Sequence, residues 1–181
     1  MEVAHRITFR DCRGLDWRRV ASLISGIFPS EPPGAIGHAL RAQNTRLCLR
    51  DKRIVGFYVY QPARGDGELW LDYIGVETGV RRGGLGKLLL ADLEEQARKR
   101  GFFRIALGVD TDNAGAIAFY ERNDFRRSAP SGDGRRTFYS KLIVLQPGVT
   151  PYKARAPLAL FDLPIRAYRK LQYWIVVGAE D

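Results

Sequence analysis

The stretch Ile74-Gly75-Val76-Glu77-Thr78-Gly79-Val80-Arg81-Arg82-Gly83-Gly84-Leu85-Gly86-Lys87 decides the fold. It closes a run rich in aromatic and β-branched residues, Glu68–Val76, which reads as a strand. It opens a segment in which Leu85, Leu88, Leu89, Asp92, Leu93 and Gln96 recur at helical spacing, with Lys87, Glu94, Glu95 and Arg98 mostly on the other face. A glycine-rich turn between strand and helix bares backbone N–H groups at the positive end of the helix dipole, where a phosphate is favoured. Gly83, Gly84 and Gly86 carry no Cβ, so an anion can come close to the amides. The same turn reads equally well as a simple packing turn. Two familiar phosphate loops do not fit. The nucleoside-triphosphate loop needs glycine where Arg81 stands and Ser or Thr where Leu88 stands, and the dinucleotide fingerprint needs glycine where Leu89 stands.

Working outward, Gly101 is a natural stop for the helix, Phe102–Val109 reads as the next strand, and Asp112 or Asn113 caps a short helix containing Ala116, Phe119 and Tyr120. Upstream, Ile7–Arg10 reads as a strand and Asp16 caps a helix from Trp17 that buries Val20, Leu23, Ile24 and Ile27. A short helix is expected from Pro33 to Gln43, then strands Arg46–Arg50 and Ile54–Gln61 around an Asp51-Lys52 turn. Phe125–Ser128 and Thr137–Leu145 are late strands. Strands alternating with helices give an α/β chain with one mixed sheet. Proline punctuation at Pro147, Pro151, Pro157 and Pro164 sets off residues 146–181 as an extension of a 1–145 domain. A last helix is expected over Ile165–Val177, packed on its own domain first, at a dimer contact second, and on a membrane surface third.

The 181 residues are 45% apolar and 27% charged, the composition of a globular chain with one core. No apolar run nears the ~20 residues of a membrane-spanning helix. The N-terminus Met1-Glu2-Val3-Ala4-His5-Arg6 resembles no secretion signal, and Cys12 and Cys48 have no metal spacing, so a reducing cytoplasm is the expected compartment and no metal is expected. A net charge of +9 favours an anionic partner, but the basic residues are scattered in pairs and triplets such as Arg81-Arg82 and Arg98-Lys99-Arg100. Nucleic acid is therefore not expected: there is no basic and aromatic stripe and no helix-turn-helix.

Val76 followed by Arg81-x-x-Gly84-x-Gly86 and an amphipathic helix resembles the acyl-CoA-binding motif of the GCN5-related N-acetyltransferase (GNAT) family, whose pattern is Gln/Arg-x-x-Gly-x-Gly/Ala. Asn113-Ala114-Gly115-Ala116-Ile117-Ala118-Phe119-Tyr120-Glu121-Arg122-Asn123-Asp124-Phe125 is similar to the family's second signature, Asn-x-x-Ala-x-x-Phe-Tyr-Glu-x-x-Gly-Phe. The departure is Asp124 in place of glycine, a residue that tolerates left-handed backbone better than most. The likeness is close over Glu68–Arg127 and compatible in element order from Ile7 to Leu145.

The resemblance implies a mixed central sheet whose two middle strands splay apart, flanked by helices. It implies acetyl-CoA as co-substrate and a small-molecule or peptide amine as acceptor, attacked directly in a ternary complex. The pyrophosphate would lie on the amides of Arg82, Gly83, Gly84, Leu85, Gly86 and Lys87, in the motif that Arg81 opens, with Ile74 and Val76 giving backbone bonds to the pantetheine arm. Asn113 matches a position that contacts this arm, and is at least as well read as a helix cap. Tyr120 matches the acid that protonates the departing thiolate; its plainer reading is an aromatic packed beside Phe119. The base is more open. Relatives that place a glutamate on the next strand have it where Gly108 stands here. Asp72 is the first candidate, Glu68 the second and Asp110 the third, each also readable as a solvated strand-end carboxylate, and a strand bulge would change which of them share a face. An acyl-CoA-binding protein without activity is the competing reading, and an intact Tyr120 argues against it.

Overall fold

Asp51 and Lys52 both adopt left-handed backbone, φ 49° and 71°, which closes a two-residue hairpin between the first long strands. The computed structural model describes residues 6–27, 44–63, 65–130 and 134–153. In chain order these form β1 (Ile7–Asp11), α1 (Asp16–Ile27), β2 (Asn44–Arg50), β3 (Arg53–Pro62), β4 (Glu68–Val76), a 3-10 turn at Thr78–Val80, α2 (Leu85–Lys99), β5 (Arg104–Asp110), α3 (Ala114–Arg122), β6 (Arg126–Pro130) and β7 (Arg136–Leu142). The helices expected over 33–43 and 165–177 lie outside the described residues. Among the described residues no helix is long and apolar enough to cross a membrane.

The strands make one seven-stranded sheet in the order β1-β2-β3-β4-β5-β7-β6, antiparallel except for the parallel pair β4–β5. On one face α2 buries Leu85, Leu89, Leu90, Leu93 and Ala97 against Val55, Tyr58, Leu71, Ile74 and Leu107. On the other, Val20, Leu23, Ile24 and Ile27 of α1 pack on Leu47, Phe57, Val59 and Tyr73. Burial on this scale, at about 25 cal/mol per Å² of apolar surface, is the main force holding the layers together.

The phase of α2 differs from the expected one. Leu88 is 41% exposed, whereas Leu90 and Ala97 are buried. Asp92 does lie on the sheet side, for a polar reason: its carboxylate takes Arg46 Nε and Nη2 at 3.0 and 2.9 Å and the Tyr58 hydroxyl at 2.7 Å. The helix stops as expected, with Gly101 at φ 80° just past its last turn.

Two irregularities in the middle of the sheet shape the site. The parallel ladder joins only Glu68–Trp70 to Arg104–Ala106. Beyond it β4 stays paired with β3, and β5 with β7, but the two are not paired with each other, so the central strands splay. The second is a bulge. Val59 faces Tyr73 and Tyr60 faces Leu71, which leaves Asp72 as an extra residue in β4. Leu69 and Leu71 join the α2-side cluster, Tyr73 the α1-side cluster, and Ile74 the α2-side cluster again. Regular alternation would have kept residues 69, 71 and 73 on one face. Past Leu145 the chain runs on to Tyr152, whose ring lies 4.4 Å from that of Phe102 and whose backbone bonds Gly101 and Gly67.

Candidate active site

The Glu77 amide donates to the Val55 carbonyl across the β3–β4 ladder. Backbone polar groups alternate sides along a strand, so those of Ile74 and Val76 point the other way, to the edge where β5 has diverged. That edge is where a ligand can add as a strand. The Val76 carbonyl also accepts Arg81 Nε at 3.1 Å, so the Arg81 side chain braces the turn against the strand it leaves.

Gly84 is the residue preceding α2, at φ 73°, a backbone conformation that glycine adopts without strain. Arg82 shares the left-handed region at φ 67° and is exposed, as are Gly83 and Lys87. Leu85 sends its side chain into the core and leaves only its amide at the turn. Gly86 serves packing: a Cβ there would lie 3.2 Å from the Phe119 ring of α3. Beside Gly83 stands an arginine that no motif singles out. Arg50 Nη2 lies 3.8 Å from where a Gly83 Cβ would be, and its buried Nε has no hydrogen-bond partner among the described residues. A buried, unpaired guanidinium donor is costly unless an anion completes it.

Asn113 caps α3, its Oδ1 accepting the Ala116 amide at 3.0 Å. This presents Tyr120 on the inner face of the helix, fully buried, with Phe119 and Phe125 edge-on at 5.4 Å each. Tyr120 shares a cluster with Ile74 of β4 and Val109 of β5, the strands on either side of the opening. Its hydroxyl is buried without a partner among the described residues, and burial pushes its pKa up, so it holds its proton at any ordinary pH.

The three carboxylates differ in what they touch. Glu68 pairs with Arg104 at 3.6 Å and Asp110 with Arg136 at 2.9 Å. Asp72, at the bulge, is 6% exposed; Gln61 Nε2 donates to its Oδ1 at 3.2 Å, and among the described residues it has no cation partner and its Oδ2 no partner at all. Burial pushes its pKa up to about 7, against a smaller lowering by Gln61. Close by, Gly108 leaves room for the Phe138 ring, which meets Trp70 edge-on at 6.0 Å. Sequence reasoning missed Gln61 and Arg50. Neither sits in a motif; the pairing of Gln61 with Trp70, and of Arg50 with Arg53 at the hairpin, is what brings them to the site.

The model of the acetyltransferase (GNAT) family matches residues 17–125. The chain is 38% identical over 115 residues to the [ribosomal protein bS18]-alanine N-acetyltransferase of Escherichia coli K12, covering 60% of this chain and 76% of that protein. It is 35% identical over 86 residues to the mycothiol acetyltransferase of Clavibacter michiganensis, covering 48% of this chain and 28% of that one, so it spans little more than a quarter of that relative's length. A GNAT family acetyltransferase from Elizabethkingia anophelis, solved with acetyl-CoA bound, superposes with a TM-score of 0.62 at 17% identity, covering 76% of this chain and 98% of the other, a likeness of fold.

Proposed function

The chain belongs to the GNAT family of acetyltransferases, and from that premise we propose that it transfers an acetyl group from acetyl-CoA to a primary amine of low pKa, such as the α-amine of a peptide, in a ternary complex. The observation that carries this reading is the pair of buried oxygens with no partner among the described residues, Asp72 Oδ2 on β4 and Tyr120 Oη on α3, beside strands that open next to a glycine turn. Acetyl-CoA supplies the activated thioester. Arg82, Gly83, Gly84, Leu85, Gly86 and Lys87 offer amides to the pyrophosphate, Arg50 adds a guanidinium, and Ile74 and Val76 offer backbone groups to the pantetheine arm. A fit is supported by the free guanidinium donor of Arg50 and the unpaired edge of β4.

Asp72 Oδ2 takes the proton of the acceptor ammonium, directly or through water, and Tyr120 Oη gives its proton to the departing thiolate. With a base near 7, the acceptor's own pKa decides the cost of the proton transfer. Taking a proton from an α-ammonium near ~8 costs on the order of 1.4 kcal/mol, and from a lysine near ~10.4 on the order of 4.6. The two free cysteines, Cys12 and Cys48, suit a reducing compartment. A peptide with one free α-amine and one lysine, incubated with acetyl-CoA and mapped by mass spectrometry, tests the acceptor. Acetylation at the α-amine is expected, and acetylation at the lysine alone overturns this choice.

A further inference from the structure

Among the described residues, Asp72 receives one side-chain hydrogen bond, and it comes from the neighbouring strand: Gln61 Nε2 to Oδ1 at 3.2 Å. We propose that Gln61 is a positioning residue, which fixes the Asp72 carboxylate so that Oδ2 alone faces the acceptor amine and which favours the charged form of that carboxylate. The inference rests on Asp72 being the base.

The geometry assigns distinct work to the two oxygens. Oδ1 is held by a neutral amide, and Oδ2 is buried with no partner among the described residues. A proton arriving on Oδ2 leaves the Gln61 bond intact, because Oδ1 still accepts. The bulge makes this arrangement possible. It inserts Asp72 next to the pairs Tyr60–Leu71 and Gln61–Trp70, within reach of the Gln61 amide.

Among the described residues, no charged group performs the same service. On β4, Glu68 is tied to Arg104 of β5. On β5, Asp110 is tied to Arg136 of β7. On α1, Asp16 is tied to Arg10 and Arg19 to Glu77, while Arg18 is exposed. On the α2 side, Arg46 is tied to Asp92. Among the described residues, Gln61 is the side chain that favours the charged form of Asp72, acting against burial. Loss of a hydrogen bond to the charged form shifts the titration upward by about one to two pH units.

The test compares pH profiles of kcat/KM for wild type, Gln61→Leu, Gln61→Glu and Asp72→Asn, and follows the Asp72 carboxyl carbon by NMR in the protein alone. In Gln61→Leu the acidic limb and the NMR titration should both move up by about one pH unit, with activity recovering at high pH. In Gln61→Glu, where a second carboxylate stands beside the first, they should move further. Asp72→Asn should lose the limb altogether. If Gln61→Leu leaves limb and titration in place while Asp72→Asn removes the limb, Gln61 has no positioning role and the base survives. If Asp72→Asn keeps the wild-type profile, the base assignment fails and the role of Gln61 with it. Should Gln61→Leu not fold, Gln61→Met carries the same comparison.

Discussion

Arg136 Nε lies 2.9 Å from Asp110 Oδ1, between residues that face each other across the β5–β7 ladder. The bond holds Asp110 as a partnered carboxylate, and Glu68 is held more loosely by Arg104. Asp110→Asn and Glu68→Gln should therefore keep the wild-type pH dependence of kcat/KM, whereas Asp72→Asn should lower kcat/KM by roughly 10²–10⁴-fold. Steady-state kinetics across pH on one acceptor decides among the three. A loss of the acidic limb in Asp110→Asn would move the base to β5.

Asp72 also makes a stability prediction of opposite sign to its activity. Its folded pKa, about 7, stands above the ordinary carboxylate value. The unfolded chain then binds fewer protons than the folded one between about pH 4 and 7, and stability falls as pH rises through that window. Asp72→Asn should be more stable than wild type above pH 7, by roughly 2–4 kcal/mol, and gain nothing near pH 3. Denaturant melts at the two pH values measure this.

Tyr120→Phe separates packing from chemistry. The ring is gripped by Phe119 and Phe125, while the hydroxyl is buried with no partner among the described residues. Removing an unsatisfied hydroxyl relieves a penalty of about 1–3 kcal/mol. The variant should melt no lower than wild type and turn over roughly 10²–10⁴-fold more slowly. A stable variant with unchanged kcat assigns Tyr120 to packing alone.

The Arg46–Asp92 pair anchors α2 to β2, both side chains being 13% exposed. Asp92→Ala leaves Arg46 with only the more exposed Asp11 at 3.2 Å and the Tyr58 hydroxyl without its acceptor, and should destabilise by about 1–3 kcal/mol. Thermal unfolding checks this.

Much of this was legible in the sequence, because strand and helix periodicities are local. Glu68–Val76 and the glycine turn could be read residue by residue. The bulge at Asp72 could not, since one inserted residue leaves the composition of a strand unchanged; it shows only in the pairing with Val59 and Tyr60. The α2 face differs from the expected one at Leu88 and Leu90 because the rotation of a helix is set by what it packs on, here Val55, Leu71 and Leu107, far away in sequence. Arg50 and Gln61 carry no local signal at all.

For the cofactor turn, Gly83 is the informative position: it is open and free of the left-handed backbone that makes any change at Gly84 strained. Gly83→Glu sets a carboxylate among the expected phosphate ligands, and Arg50→Met removes a cation beside them. Calorimetry should show CoA affinity reduced at least tenfold by the first and a few-fold by the second, about 1.4 kcal/mol per factor of ten. Unchanged affinity in both would place CoA elsewhere.

The central claim is acetyl transfer to an amine, and thiol release from acetyl-CoA tests it most directly. Wild-type protein should release thiol only when an amine acceptor is present, in equal amount to the acetylated acceptor recovered by mass spectrometry. Release should be fastest with peptides bearing a free α-amine. Tight CoA binding with no amine-dependent release, over acceptors that include peptides, amino acids, polyamines and amino sugars, would contradict the account and leave a CoA-binding protein without transferase activity.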